Sequence, residues 1–171
     1  MTMKVFGLAG WSGSGKTTLV TALIPELTAR GYAVSTIKHA HHSFDIDRPG
    51  KDSWRHRHAG ASEVLISSSE RLALVREHRG APEPTLEMLL QQLAPVDLVL
   101  IEGFKREAVP KLEIWRAETG QPPLFPDDPN IVALAGDRPD PEPALPRYAL
   151  DDIAGIADFI VRRCNLPARA A

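Results

Sequence analysis

Eight consecutive residues, Gly10-Trp11-Ser12-Gly13-Ser14-Gly15-Lys16-Thr17, follow the order G-x-x-x-x-G-K-T. That order suits a chain of phosphates. The glycines let the backbone curl until successive N–H groups face one anion, and a helix that starts where the turn ends adds its positive end. Lys16 is placed to reach the outer phosphates, and the Thr17 hydroxyl to hold a Mg²⁺. The flanks give the motif its context. Val5-Phe6-Gly7-Leu8-Ala9 is apolar enough for a buried parallel strand, and Thr18 to Ile24 carries apolar residues at helical spacing.

A second chemical feature closes another apolar run. Leu98-Val99-Leu100-Ile101 reads as a strand buried on both faces, so as a central parallel strand, and it ends in Glu102. In phosphate-binding loop enzymes, an acidic strand end of this kind shares the Mg²⁺ with the loop hydroxyl. Glutamate in place of the usual aspartate has a longer reach. A third feature is the polar, aperiodic stretch after the strand at 32–38. Here Asp45 or Asp47 is a candidate for binding Mg²⁺ or orienting a water, and Lys51 and Arg55 are candidates for touching phosphate. The residues leave those roles open.

The remaining elements must position these groups. The first helix is expected from Lys16 to about Arg30, ended by Gly31, with Pro25 kinking or breaking it near Leu23. A short helix over Lys51–Ala59, capped by Asp52 or Ser53 and ended by Gly60, precedes a hairpin of 63–67 with 72–75. Thr85 to Leu93 reads as an amphipathic helix capped by Thr85. Leu112 to Trp115 alternates and is expected at a sheet edge, and Ile131 to Ala135 as a buried strand. Residues 138–146 hold four prolines and read as an extended linker. A terminal helix over 151–164 carries the stripe Ile153, Ile156, Phe159 and Ile160. The expected class is a three-layer α/β/α sandwich of the P-loop NTPase type, with a mostly parallel central sheet and a short antiparallel section. One nucleotide-binding domain is expected over 1–171.

The bulk properties exclude several roles. A net charge of -2 gives no general basic field for nucleic acid or an acidic membrane. The single cysteine, Cys164, allows no disulfide framework, which fits a reducing compartment. No apolar run approaches membrane-spanning length. A soluble, cytoplasmic protein is expected.

Base recognition is less legible. The Asn/Thr-Lys-x-Asp tetrapeptide of familiar GTPases is absent. A late buried strand does end in Asp137, whose carboxylate suits either a guanine N1 and N2 acceptor or a turn cap. Two further classes stay open. The arginines Arg48, Arg55 and Arg57 suit the lid of a small-molecule kinase. His39, His41, His42, His56 and His58 suit a metal-delivery NTPase, although their spacing matches no recognised ligand set. Trp11 and Trp115 are candidate partner contacts, with packing as the plainer role.

The combination of GWSGSGKTTL, HHSFDIDRPGKDSWRHRHAGA and DLVLIEGFK resembles the molybdopterin-guanine dinucleotide biosynthesis protein B (MobB) family over residues 3–137. The phosphate loop alone selects no family, and the second segment is the specific one. The resemblance implies a GTP-binding adapter in molybdenum cofactor maturation, a weak Mg²⁺-dependent GTPase that forms homodimers through its sheets. It implies contact with the molybdenum cofactor guanylyltransferase and with molybdopterin-synthesis enzymes. Carried onto this chain, Gly10, Trp11, Ser12, Gly13, Ser14, Gly15, Lys16, Thr17 and Thr18 bind the phosphates of GTP. Thr17 binds Mg²⁺, supported by Glu102 and by an Asp of the second segment, for which Asp47 is the candidate. The water-activating residue is not assigned; Asp45, Asp47 and Lys51 are the candidates.

Overall fold

A computed structural model describes residues 3–40, 44–137 and 144–169. Its contacts divide the chain into two compact units, residues 1–39 with 91–171, and residues 40–90. His41 and His42, and residues 138–143 of the expected linker, lie outside the described residues.

The larger unit is built on six parallel strands: β1 (Lys4–Ala9), β2 (Val34–Lys38), β5 (Leu98–Glu102), β6 (Lys111–Trp115), β7 (Ile131–Gly136) and β8 (Arg147–Tyr148), in the order β2-β5-β1-β6-β7-β8. Strand β1 therefore has β5 on one side and β6 on the other. The chain fills one flank of β1 before it fills the other. In open parallel sheets, ligands bind beyond the carboxyl ends of the strands at such a switch point. The phosphate loop leaves β1 there.

Helices α1 (Lys16–Ala29) and α4 (Ile153–Arg163) share one core with the sheet. Phe6 and Leu8 of β1, Leu98 and Leu100 of β5, and Leu112 and Ile114 of β6 meet Leu19, Leu23 and Leu27 of α1 and Ile156 and Ile160 of α4. Arg30 ties the two helices together, donating to Glu26 and to Asp158 at 2.5 Å. Helix α1 runs through Pro25 without the break expected near Leu23, because Leu23 and Leu27, on either side of the proline, are fully buried. It ends as the sequence suggests. Gly31 takes φ +82°, its N–H donates to Thr28 O and the Tyr32 N–H to Leu27 O, a Schellman closure.

Strand β6 departs from expectation. Its alternating pattern suggested an edge, yet it lies between β1 and β7 with Lys111 to Ile114 buried. The charges responsible for that pattern are satisfied internally. Lys111 Nζ donates to Asp128 Oδ2 at 2.5 Å and to Lys105 O at 3.0 Å. Glu113 accepts from the N–H groups of Leu124 and Phe125 at 2.6 and 2.9 Å. Burial pushes the Glu113 carboxyl above its ordinary pKa, against the pull of those two N–H groups.

Replacing Lys111 with methionine keeps the buried stem and deletes the charge. Asp128 then loses its ion-pair partner while staying partly accessible to water, so we expect a loss of about 2 kcal/mol, below the cost of breaking a fully buried pair. Urea unfolding of the wild type and Lys111→Met measures it, and equal midpoints would show that the pair contributes nothing.

The smaller unit holds α2 (Asp52–His58), the antiparallel hairpin of β3 (Glu63–Ser67) and β4 (Leu72–Arg76), and the short α3 (Leu86–Leu90). Helix α2 closes as α1 does, with Gly60 N–H on Arg57 O and Ala61 N–H on His56 O. Its N-cap is Lys51 without a side-chain cap, one residue before the expected Asp52. In the hairpin, Leu65 faces Leu74 and Ser67 faces Leu72, which puts the three leucines on one face, exposed by 61%, 41% and 65% for Leu65, Leu74 and Leu72. Among the described residues, no helix is long and apolar enough to cross a membrane.

Candidate functional site

The phosphate loop spans the carboxyl end of β1 and the first turn of α1. Its shape depends on glycine conformations. Gly10, Gly13 and Gly15 take φ of +144°, +80° and +103°, a region that L side chains rarely adopt. Gly10 is also hemmed in. A Cβ there would lie 2.5 Å from Ile114 O and 2.6 Å from Ser14 Oγ. Lys16 lies back across the loop, donating to Gly10 O at 3.0 Å and Trp11 O at 2.7 Å. Burial lowers its pKa, the Glu102 carboxylate offsets part of that, and Lys105 and Lys38 push it down further. A cation held beside other cations gains from any anion that enters. Ser14 is buried, and among the described residues its hydroxyl has no hydrogen-bond partner.

The Thr17 hydroxyl donates to Glu102 Oε1 at 2.9 Å. The loop hydroxyl and the acidic strand end, 85 residues apart in sequence, therefore meet as the sequence suggests. Hydroxyl and carboxylate oxygens are the hard donors that Mg²⁺ takes. Glu102 ends β5 beside Lys38, which ends β2, and the Lys38 ammonium lies 3.9 Å from Glu102 Oε1. The turn after Glu102 is tight. Gly103 takes φ +92°, and a Cβ there would sit 3.0 Å from His39 O.

Trp11 packs within its own unit. Its indole N–H donates to Pro122 O at 2.7 Å, and Lys105 Nζ lies 3.9 Å from its ring centroid. Trp115 donates to Gln121 O at 2.9 Å. Two tryptophans from neighbouring strand ends thus hold successive carbonyls of one loop. Asp137, at the end of β7, joins the same region. Its Oδ2 accepts from Ala117 N–H at 2.8 Å, and its own N–H donates to Trp115 O. Of the two roles open to this exposed carboxylate in the sequence, the turn cap is filled.

The smaller unit places Asp45 and Asp47 around Arg57. Asp47 accepts from Ser53 Oγ at 2.7 Å and from Arg57 Nε at 2.9 Å, one bond on each carboxylate oxygen. The Ser53 bond, then Arg57, hold its pKa below the ordinary carboxylate value against the effect of burial. Arg57 also donates to Glu77 at 2.5 Å and to Asp45 at 2.8 Å. The Glu77 bond, then Asp47, raise its pKa further. Asp47, a candidate metal ligand by sequence, and Arg57, a candidate lid arginine, here pair with each other, with Asp45 and Glu77 also on Arg57. Lys51 N-caps α2 through its backbone. The His58 ring stacks on Trp54 with centroids 3.7 Å apart, and its Nδ1 meets Trp54 O. Among the described residues, no group of three His, Cys, Asp or Glu side chains gathers as a metal site.

Sequence reasoning missed Lys38 and Lys105. Both follow or end strands whose carboxyl ends face the loop, and the strand order alone brings them together. Lys105 stands only three residues after Glu102, and that short spacing was the available signal.

A phosphate loop at the switch point of a parallel sheet, with its Thr hydroxyl on an acidic strand end, defines a protein of the P-loop NTPase class. Molybdopterin guanine dinucleotide synthesis protein B, the MobB family, matches residues 5–137. The chain belongs to that family. It is 40% identical over 163 residues to the molybdopterin-guanine dinucleotide biosynthesis adapter protein of Escherichia coli strain K12, covering 93% of this chain and 92% of that one. It is 45% identical over 163 residues to the protein so named in Haemophilus influenzae, covering 92% and 88%. A crystal structure of a molybdopterin-guanine biosynthesis protein B superimposes with a TM-score of 0.72 at 28% identity, over 93% of this chain and 99% of that chain.

Proposed function

We propose that this chain is a GTP-binding adapter in molybdopterin guanine dinucleotide biosynthesis, with slow, Mg²⁺-dependent GTP hydrolysis. The observation that carries the reading is the Thr17–Glu102 contact beside Lys16 in an intact phosphate loop, in a chain of this family. The loop N–H groups and Lys16 hold the phosphates, and Thr17 and Glu102 hold Mg²⁺, which when bound neutralises phosphate charge. Asp47 serves instead as the anchor of Arg57.

Slow turnover is supported by what the carboxylates do. Glu102 accepts from Thr17, and Asp45 and Asp47 are engaged by Arg57, so each of the three is occupied by a protein partner. Guanine preference rests on the family, with Asp137 as the acceptor candidate. The partners are the molybdenum cofactor guanylyltransferase and molybdopterin-synthesis enzymes in the cytoplasm. A homodimer is supported by the hairpin leucines, since an isolated two-stranded sheet is marginal in water and gains from a partner that covers its apolar face.

Displacement of a fluorescent guanine nucleotide by GTP and ATP, together with steady-state phosphate release, tests the reading. GTP is expected to displace better than ATP, with turnover well under one per second. Turnover on the order of 1–100 s⁻¹, as in kinases, would contradict an adapter.

A further inference from the structure

We infer that Lys105 is a phosphate-directed cation, supplied in cis from the turn after β5, that binds the terminal phosphate of the nucleotide. The inference rests on the nucleotide-binding reading above and adds a residue to it.

Several observations converge on Lys105. Its ammonium lies 3.9 Å from the ring centroid of Trp11, inside the phosphate loop itself, and Lys16 Nζ donates to the carbonyl of that same Trp11. The Lys105 backbone is fixed from behind, since its carbonyl accepts from the buried Lys111 and its N–H donates to Gly103 O at 2.9 Å. Lys111 in turn is pinned to Asp128 and lies against Gly7, where a Cβ would come within 2.5 Å of Lys111 Cγ. The backbone is therefore held while the flexible four-carbon side chain keeps its reach.

The charge balance supplies the reason. Lys38 and Lys105 both act on Lys16, where Glu102 offsets part of their charge, and Lys105 also acts on the Glu113 carboxylate, so three cations stand against two carboxylates. The positive charge exceeds the negative, and an Mg²⁺-bound triphosphate, still anionic, complements it. An aromatic ring gives a lysine only a weak hold, so exchanging Trp11 for a phosphate oxygen is favourable. A diphosphate, lacking the terminal group, gives Lys105 less to bind.

Titration of GTP and GDP, each with Mg²⁺, into the wild type, Lys105→Met and Lys105→Arg tests this. Lys105→Met is expected to weaken GTP by tenfold or more, the loss of one charge-assisted hydrogen bond, while GDP stays within twofold. Lys105→Arg keeps the charge and is expected to restore most of the GTP affinity. Equal losses for GTP and GDP would mean that Lys105 only shapes the loop through Trp11. No loss for either would mean that it lies idle. Both results overturn the inference and leave the nucleotide reading standing. A wild type that binds neither nucleotide overturns both.

Discussion

Gly10→Ala is expected to destabilise the chain by about 4 kcal/mol and to abolish nucleotide binding. Two costs add. The residue sits at φ +144°, where a residue with a side chain pays about 1–3 kcal/mol of backbone strain. Its Cβ would also press on Ile114 O at 2.5 Å, a backbone atom of a central strand that cannot swing aside. Overpacking of that kind costs about 1–3 kcal/mol. Relief requires the loop to move off β6, and the loop N–H groups then no longer converge on one anion. Gly13→Ala is the control. Gly13 also has positive φ, but a Cβ there meets nothing within 4 Å, so only the strain remains. Urea unfolding of both variants should rank Gly10→Ala well below Gly13→Ala. Equal stability would show that the close approach to Ile114 is not rigid.

The second large effect concerns Lys16. Its ammonium is held by two loop carbonyls at 2.7 and 3.0 Å and lies among cations, so its charge is poorly compensated. An entering phosphate replaces neutral acceptors with charged ones. Hydrogen bonds to charged groups contribute about 1.5–3 kcal/mol each, so removing this side chain should cost about 3 kcal/mol of binding, roughly 100-fold or more. The fold should hardly notice. Lys16 is half-buried, it fills no core position, and the two carbonyls it leaves can take up water.

Much of this site is legible in the sequence because its parts are local. Eight consecutive residues define the loop, and four aliphatic residues followed by Glu102 define the strand that faces it. Gly31 and Gly60 mark helix ends through a backbone conformation that depends on a few neighbouring residues. The hairpin of 63–67 with 72–76 is equally local.

What the sequence hid is non-local. Lys111 and Glu113 look like the polar face of an edge strand, because pattern reasoning assumes that a charge seeks water. Their partners are Asp128 and the backbone of Lys105, Leu124 and Phe125, within 17 residues but in irregular segments without periodicity. Asp47 shows the converse. A carboxylate beside an arginine-rich helix reads equally well as a metal ligand or as an ion-pair partner, and the ion pair with Arg57 depends on a placement that no local pattern gives. Strand β8 is two residues long and follows a proline-rich stretch, so it had no pattern to read. Pro25 does not break its helix, since buried leucines on both sides hold the helix against the lost N–H.

Calorimetric titration of Mg²⁺ and GTP into the wild type and Lys16→Ala, with thermal unfolding of both, tests the central claim most directly. We expect saturable one-site binding in the wild type, at least a 100-fold loss in Lys16→Ala, and unfolding temperatures that agree within a few degrees. Equal GTP affinity in the two folded proteins would contradict the claim that the Gly10–Thr17 loop is where this chain holds its nucleotide.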